Sequence, residues 1–98
     1  MKQLELSVAA DADLFDILAY GTASFGEAAS DRYYLGLCEA FDFLCERPLA
    51  GECCEDSGLD LRRWLYRQHR IFYRVDAETI LIARVLHVAS DAARWLQN

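Results

Sequence analysis

The sequence predicts an α+β domain in which an antiparallel helical hairpin packs on one face of a four-stranded sheet. Two changes in the spacing of apolar residues carry this prediction. Residues 2–8 alternate between apolar and polar side chains, residues 10–46 repeat apolar side chains at helical spacing, and residues 62–88 alternate again. The predicted order is therefore β-α-α-β-β-β, followed by a short helical tail. This arrangement buries the apolar faces of both the helices and the sheet.

The size and composition of the chain fit one domain over residues 1–98. The 98 residues are 54% hydrophobic and 12% aromatic, so the chain can build a core without a metal or disulfides. No apolar run approaches the ~20 residues of a membrane span. The first strand follows Met1 without the pattern of a signal peptide. We therefore expect a cytoplasmic protein without a cofactor or a membrane segment.

The first strand and the first helix meet at a capping sequence. The strand is predicted over Lys2 to Val8, and the helix that follows continues to about Ser24. Ser7 or Asp11 can cap this helix, because either side chain can accept hydrogen bonds from the first backbone N–H groups. Gly26 is predicted to break the helix.

The second helix is predicted over Glu27–Glu46 and stops at Arg47-Pro48, because proline disfavours a helical conformation in the residue before it. The short gap between the helices favours an antiparallel hairpin. The predicted buried stripe is Tyr33, Leu37, Phe41, Leu44 and Cys45.

A loop over residues 49–60 separates the helices from an antiparallel meander. Turn residues and alternating apolar positions mark the strands, with the Ala77-Glu78 turn before the last one. A short helical tail is predicted over Ser90–Gln97. The three strands are Arg62–Arg67, Arg70–Asp76 and Thr79–Val88.

The middle strand of the meander has two different faces. Ile71, Tyr73 and Val75 are predicted to face the core, while Arg70, Phe72 and Arg74 face the other way. An arginine–aromatic–arginine face is either a solvated back face or a docking surface.

Charge is distributed unevenly along the chain. Residues 1–60 carry three basic and thirteen acidic residues, a net of −10, while residues 61–98 carry seven arginines and three acidic residues, a net of +4. Every basic residue of the second part is arginine, which suits bidentate contacts with carboxylate or phosphate. The positive potential is thus concentrated in the sheet.

The four cysteines do not form a metal-binding pattern. Cys38 and Cys45 lie in the second predicted helix, where a thiol behaves as a small apolar side chain. Cys53 and Cys54 are adjacent, unlike the spaced pairs of zinc sites. We predict core and loop thiols and no metal site.

Landmarks over nearly the whole chain resemble the ParE branch of the ParE/RelE toxins from bacterial toxin–antitoxin modules. The more specific ones are Tyr73-Arg74 and the run from Arg84 to His87 at their mutual spacing. The full set is Ala10, Asp13-Leu14, Ile17, Tyr20, Phe25-Gly26, Tyr33, Leu37, Pro48, Gly51, Leu61-Arg62, residues 69–75, residues 82–87 and Asp91.

This resemblance implies a toxin that a co-encoded antitoxin holds inactive. ParE-like toxins poison DNA gyrase and block replication, and their modules inhibit growth and stabilise plasmids. The expected antitoxin is ParD-like, with a ribbon-helix-helix DNA-binding part and an acidic segment that folds along the toxin in a hetero-oligomer. RelE-like toxins instead cut messenger RNA in the ribosomal A-site, and a non-toxic relic that only binds antitoxin is a further alternative.

A ribonuclease needs a proton-transfer group and cations for the phosphate. Arg63, Arg84 and His87 are the candidate catalytic residues for that activity, with Tyr66 or Tyr73 as a conceivable proton donor. Three features weigh against it. The chain has one lysine, its helical half is acidic, and the histidine belongs to a pattern that ParE-like sequences share.

A protein-docking role needs only a suitable surface, and arginine and aromatic residues are enriched in binding hot spots. Trp95 and Leu96 could serve that surface or fold back over the sheet. We therefore favour a gyrase inhibitor that acts by protein binding rather than catalysis, without direct sequence-specific nucleic-acid recognition. The candidate target- or antitoxin-binding residues are Arg63, Arg70, Phe72, Arg74, Arg84, His87, Arg94 and Trp95.

Overall fold

A computed structural model describes residues 1–54, 60–90 and 92–96 of the chain. The predicted α+β class and order of elements are confirmed. Within these residues no helix is long and apolar enough to cross a membrane. The elements are β1 (Gln3–Leu6), α1 (Val8–Phe25), α2 (Glu27–Glu46), β2 (Glu52–Cys53), β3 (Arg62–Tyr66), β4 (His69–Val75), β5 (Thr79–His87) and α3 (Ala92–Leu96).

The sheet has the strand order β1-β5-β4-β3-β2. β1 runs parallel to β5, and the other pairs are antiparallel, as the predicted meander requires. The sheet has one more strand than expected, because the two-residue strand β2 forms in the predicted loop and pairs Glu52 with Arg63 and Cys53 with Arg62. Residues 55–59 of that loop, and Asp91 and Gln97 near the tail, lie outside the described residues.

The helix boundaries follow from local capping chemistry. Ser7 is the N-cap of α1: its hydroxyl accepts the Ala10 N–H at 2.9 Å and donates to the Ala83 carbonyl at 2.7 Å. Gly26 separates the helices with a φ of 91°, a left-handed region that glycine tolerates without steric cost. The bounds of α2 agree with the prediction.

The main core lies between the helical hairpin and the sheet. Of the three predicted core residues of β4, Ile71 and Tyr73 are each 0% exposed in this core. The third, Val75, packs at its margin. The remaining buried members are Ala10, Leu14, Leu37, Ala40, Phe41, Leu44, Cys45, Ile80, Ile82 and Val85.

A second, smaller core covers the opposite face of the sheet. Phe72 is only 2% exposed there, because Leu96 of α3 folds back over it and Leu61 and Leu86 pack beside it. The expectation that Phe72 belongs to an open docking face is therefore corrected. For Leu96 the fold-back alternative holds, whereas the neighbouring Trp95 remains 48% exposed.

A β-bulge in β5 decides which of its residues enter the main core. Phe72 pairs with Arg84, whereas the next residue of β4, Tyr73, pairs with Ile82, so Ala83 is the extra residue. The buried positions therefore shift from Ile82 to Val85 instead of continuing at every second residue. A bulge re-aims side chains in this way, and it keeps Arg84 out of the apolar core.

Replacing Tyr73 tests the link between β4 and the connection that follows α2. Its hydroxyl donates to the Pro48 carbonyl at 2.7 Å and accepts the Gly51 N–H at 2.9 Å. Tyr73→Ala should lower the free energy of unfolding by about 3–5 kcal/mol, as expected for loss of a buried aromatic side chain. Tyr73→Phe should cost about 1–3 kcal/mol, because the Gly51 N–H loses its acceptor. Urea unfolding measures both, and an unchanged free energy of unfolding in Tyr73→Phe would show that the hydroxyl contributes nothing.

Candidate functional site

A buried ion pair fixes helix α1 to strand β5. Both carboxylate oxygens of Asp13 accept hydrogen bonds from Arg84, from its Nε and an Nη at 2.8 Å each. The same carboxylate accepts the Val85 N–H at 2.9 Å. The side chains of Asp13 and Arg84 are only 12% and 20% exposed. The hydrogen bonds from this arginine to Asp13 raise the pKa of Arg84 further above its ordinary value, so the arginine is a permanently charged partner whose charge is cancelled locally.

A recess of about 940 Å³ opens beside this ion pair. Residues from both long helices, the turn between β3 and β4, the end of β5 and the C-terminal region line it. We name it the aromatic groove. The side chains that define it are Asp16, Ile17, Tyr20, Tyr33, Val85 and Trp95.

Three aromatic side chains at the rim of the aromatic groove are largely exposed. Tyr20 is 67%, Phe25 70% and Trp95 48% exposed. The rings of Tyr20 and Phe25 make an edge contact at 6.3 Å, while the guanidinium of Arg84 lies 5.2 Å from the Trp95 ring centre. Large aromatic side chains that remain exposed beside a recess are typical of protein-binding surfaces.

Two imidazoles and a phenol converge at one end of the aromatic groove. His69 and His87 are direct cross-strand partners with ring centres 5.4 Å apart. The Tyr33 hydroxyl lies 2.7 Å from Nδ1 of His69, and Nδ1 of His87 accepts the Ala89 N–H at 3.0 Å. Burial, and next the neighbouring His87, lower the pKa of His69. His69 is therefore held neutral near pH 7.

The groove has a small negative formal charge. Among the described residues, the lining contains Asp13, Asp16 and Arg84 as the Asp, Glu, Lys or Arg members, which gives a formal charge of −1. Since Asp13 and Arg84 cancel each other, the remaining charge is that of Asp16. The groove thus has groups that can transfer a proton, while Arg84, the arginine in its described lining, is compensated by Asp13.

A second recess, of about 490 Å³, lies on the face of the smaller core. Arg63 and Arg70 line it together with Leu65, which is 60% exposed. Arg63 makes an exposed ion pair with Glu52 at 3.3 Å, and Arg70 donates to the Val88 carbonyl at 3.2 Å. We name this recess the arginine pocket. Two arginines against one glutamate give it a formal charge of +1.

The predicted site residues are thus divided between two surfaces. Arg84, His87 and Trp95 meet in the aromatic groove, whereas Arg63 and Arg70 meet in the arginine pocket. Phe72, Arg74 and Arg94 line neither recess. Arg74 is exposed and pairs with Asp76 at 3.2 Å, and the buried Phe72 lies in the smaller core. Arg94 lies on α3, 5.8 Å from the Trp95 ring centre.

Sequence reasoning missed the helical contribution to the aromatic groove. The sequence predicts Tyr20 only as a landmark of the resemblance and Tyr33 as a landmark and a member of the buried stripe of the second helix, and it gives Asp16 no role. One signal was available: α1 carries Phe15, Tyr20 and Phe25, more large aromatic side chains than its buried stripe uses.

Comparisons of sequence point to one family. The family model described as "ParE toxin of type II toxin-antitoxin system, parDE" matches residues 4–92. Toxin ParE1 of Caulobacter vibrioides is 34% identical over 96 residues, which cover 98% of this chain and 99% of that protein. Toxin ParE1 of Mycobacterium tuberculosis is 34% identical over 92 residues, which cover 93% of this chain and 94% of that protein.

Solved structures share the architecture. A chain of the chromosomal ParDE TA system from P. aeruginosa aligns with a TM-score of 0.76 at 25% identity, covering 90% of this chain and 97% of that one. A chain of the toxin-antitoxin complex RelBE2 from Mycobacterium tuberculosis aligns with a TM-score of 0.62 at 24% identity, covering 91% and 93%. The second likeness shows a common fold alone, and a fold does not select an activity.

Removing the carboxylate of Asp13 should destabilise the chain strongly. Asp13→Ala leaves Arg84 unpaired in a mostly buried position and takes the acceptor from the Val85 N–H. We expect a loss of about 3–5 kcal/mol in the free energy of unfolding, as for other broken buried ion pairs. The control Arg70→Ala should change it by less than about 0.5 kcal/mol. Equal losses in urea unfolding would show that the Asp13 ion pair has no special role.

Stability should fall in mildly acidic solution because of His69. Its pKa in the folded chain is lower than its ordinary value of 6.5, so below that pH the unfolded chain binds more protons. The stabilising difference is complete above pH 6.5 and is lost as the pH falls through the lowered pKa of the folded state. In urea unfolding between pH 7.5 and 5, His69→Gln should show a smaller decrease than the wild-type chain. Parallel curves for the two proteins would contradict this assignment.

Proposed function

Because the chain belongs to the ParE toxin family of type II toxin–antitoxin systems, we propose that it inhibits growth by binding DNA gyrase. The bound toxin blocks gyrase and thereby replication. A ParD-like antitoxin with a ribbon-helix-helix DNA-binding part neutralises it by forming a toxin–antitoxin complex. The gyrase target and the type of antitoxin are inferred from the family resemblance. The choice of protein binding over catalysis rests on the site.

The charge of the aromatic groove is the observation that carries this choice. Arg84 lies on the same strand as His87, and its Nε and one Nη are directed to Asp13. A phosphate in the groove would therefore meet an arginine whose charge the Asp13 carboxylate already compensates. A protein surface, in contrast, can pack against Tyr20, Phe25 and Trp95 without any such change.

Cleavage of messenger RNA is the competing function, and part of its machinery is present. His69 is in contact with both Tyr33 and His87, and such groups can act as general acid and base. RNA binding, however, depends mainly on cations that contact the phosphate backbone. The groove has a formal charge of −1, and the residues around it belong largely to the acidic helical half.

The arginine pocket supports the antitoxin part of the proposal. Arg63 and Arg70 are both accessible, and Leu65 between them provides an exposed apolar contact. Arginine beside an apolar side chain suits a segment that carries carboxylates. An acidic stretch of the antitoxin would bind there.

Purified chain should trap gyrase on DNA. With gyrase, ATP and supercoiled plasmid, we expect linear DNA to be released after detergent and protease treatment, or supercoiling to be blocked. An equimolar amount of antitoxin should abolish the effect. Cleavage-complex assays on agarose gels measure it, and heat-denatured chain is the control. No effect at a large molar excess would remove gyrase as the target.

A second experiment, on growing cells, separates gyrase poisoning from RNA cleavage. His87→Ala should leave growth inhibition within about threefold of wild type, since loss of a general acid or base would cost ~10²–10⁴-fold. Loss of growth inhibition in His87→Ala, together with cuts at codons of translated messages by the wild-type chain, would replace our proposal with the ribonuclease.

A further inference from the structure

Helix α1 carries apolar side chains on the face that is turned to solvent. Val8, Ala12, Phe15 and Ala19 follow one another at intervals of four, three and four residues, so they lie along one face of a helix with about 3.6 residues per turn. All four are exposed, and the two large side chains, Val8 and Phe15, are exposed by 91% and 73%. We name these four residues the α1 stripe.

The outer face of α2 is polar, unlike that of α1. The charged residues of α2 are all exposed, namely Glu27, Asp31, Arg32, Glu39, Asp42 and Glu46. α1 has three charged residues, and one of these, Asp13, is in the buried ion pair with Arg84. A helix that is apolar on its exposed side as well as on its buried side is typical of a helix that is covered in an assembly.

The α1 stripe is separate from both recesses. The described linings of the aromatic groove and the arginine pocket contain none of its four residues. α1 contributes Asp13, Ile17 and Tyr20 to the groove, and at 3.6 residues per turn these lie on the opposite flank of the helix from the stripe. A protein that covers the stripe therefore leaves the aromatic groove open.

We propose that the α1 stripe packs against the same stripe of a second copy of this chain, and that the isolated chain thereby forms a symmetric dimer with antiparallel α1 helices. A twofold axis between Ala12 and Phe15 places Phe15 of each copy opposite Ala12 of the other, and Val8 opposite Ala19. Each large side chain then faces a small one, which allows two apolar layers to interdigitate. Such an interface uses the same surface of both copies and closes at two.

A parallel arrangement of the two helices fits less well. In a parallel pair Phe15 would meet Phe15 and Ala12 would meet Ala12, so that bulky contacts would alternate with gaps. Antiparallel helices also bring opposite ends of the two helix dipoles together. The stripe thus supplies its own complement in one orientation, which favours a second copy over an unrelated protein.

The size and charge of the contact indicate a reversible dimer. The two Phe15 side chains would bury roughly 220–360 Å² together, since an aromatic side chain buries ~150–250 Å² and Phe15 is 73% exposed. Four residues per copy are nevertheless fewer than the ~20–30 residues per side of a standard interface. Each copy also has a net charge of −6, which opposes association. Salt should therefore strengthen the dimer by screening this repulsion.

Variants of the full-length chain test both the surface and the orientation. Phe15→Ala removes the large side chain, and Leu49→Ala is the matched control, because Leu49 is 69% exposed and lies outside the stripe. Ala12→Phe places a ring opposite Phe15 of the other copy. The double variant Ala12→Phe/Phe15→Ala exchanges the two side chains and again sets a large residue opposite a small one. Analytical ultracentrifugation measures dimerisation, and thermal melting confirms that each variant folds.

We expect a wild-type dimer whose dissociation constant falls as sodium chloride is added. Phe15→Ala should raise this constant by about 10–100-fold, as for a hot-spot residue, and Ala12→Phe should raise it by about 5–100-fold through overpacking. The double variant should return to within about fivefold of wild type, because its two changes compensate each other. Leu49→Ala should stay within about threefold.

A wild-type chain that stays monomeric at millimolar concentration would overturn the dimer. Equal dissociation constants for Phe15→Ala and Leu49→Ala would show that the stripe is not the contact, and a double variant without recovery would exclude the antiparallel register. Loss of gyrase trapping in Phe15→Ala with unchanged dimerisation would instead assign the stripe to the target. A chain that dimerises as expected but has no effect on gyrase would leave the dimer in place and overturn only the proposed function.

Discussion

The carboxylate of Asp13 joins the helical layer to the sheet at the one place where the sheet is irregular. Three hydrogen bonds converge on it, two from Arg84 and one from the Val85 N–H. Charge-assisted hydrogen bonds are roughly twice as strong as neutral ones, and these are mostly shielded from water. The bulge at Ala83 makes this geometry possible. It moves the core-facing position of β5 from Arg84 to Val85, and the Arg84 side chain bonds to Asp13 of α1 instead. The start of the same helix is fixed nearby by Ser7, which bonds to the Ala83 carbonyl.

The aromatic groove depends on this junction. β1 pairs with β5 only as far as Ile82. Beyond that residue α1 is held at the edge of β5, and the space between α1 and the end of β5 stays open. Arg84 forms part of the floor, and Trp95 lies against its guanidinium. A structural ion pair therefore also orients an exposed aromatic residue of the candidate interface.

Charge compensation changes which chemistry the same set of residues can support. Histidine, tyrosine and arginine are the components of a ribonuclease, and all three occur in the groove. Asp13 compensates the charge of this arginine and accepts hydrogen bonds from its Nε and one Nη. In the arginine pocket, Arg63 makes an exposed ion pair with Glu52, and Arg70 donates to a backbone carbonyl that has no formal charge. The described lining of this pocket therefore keeps a formal charge of +1.

The sequence by itself determined the class of fold, the order of the elements, the helix boundaries and the buried face of β4. These features follow from local periodicity, capping and the restrictions of glycine and proline, which act over a few residues. The short strand β2, the β-bulge and the parallel pairing of β1 with β5 could not be predicted, because each depends on contacts between distant segments. The same applies to the site. The sequence identified Arg63, Arg70, Arg84, His87 and Trp95 as candidates, yet only the tertiary structure separated them into two recesses, buried Phe72 beneath α3 and paired Arg84 with a carboxylate 71 residues away.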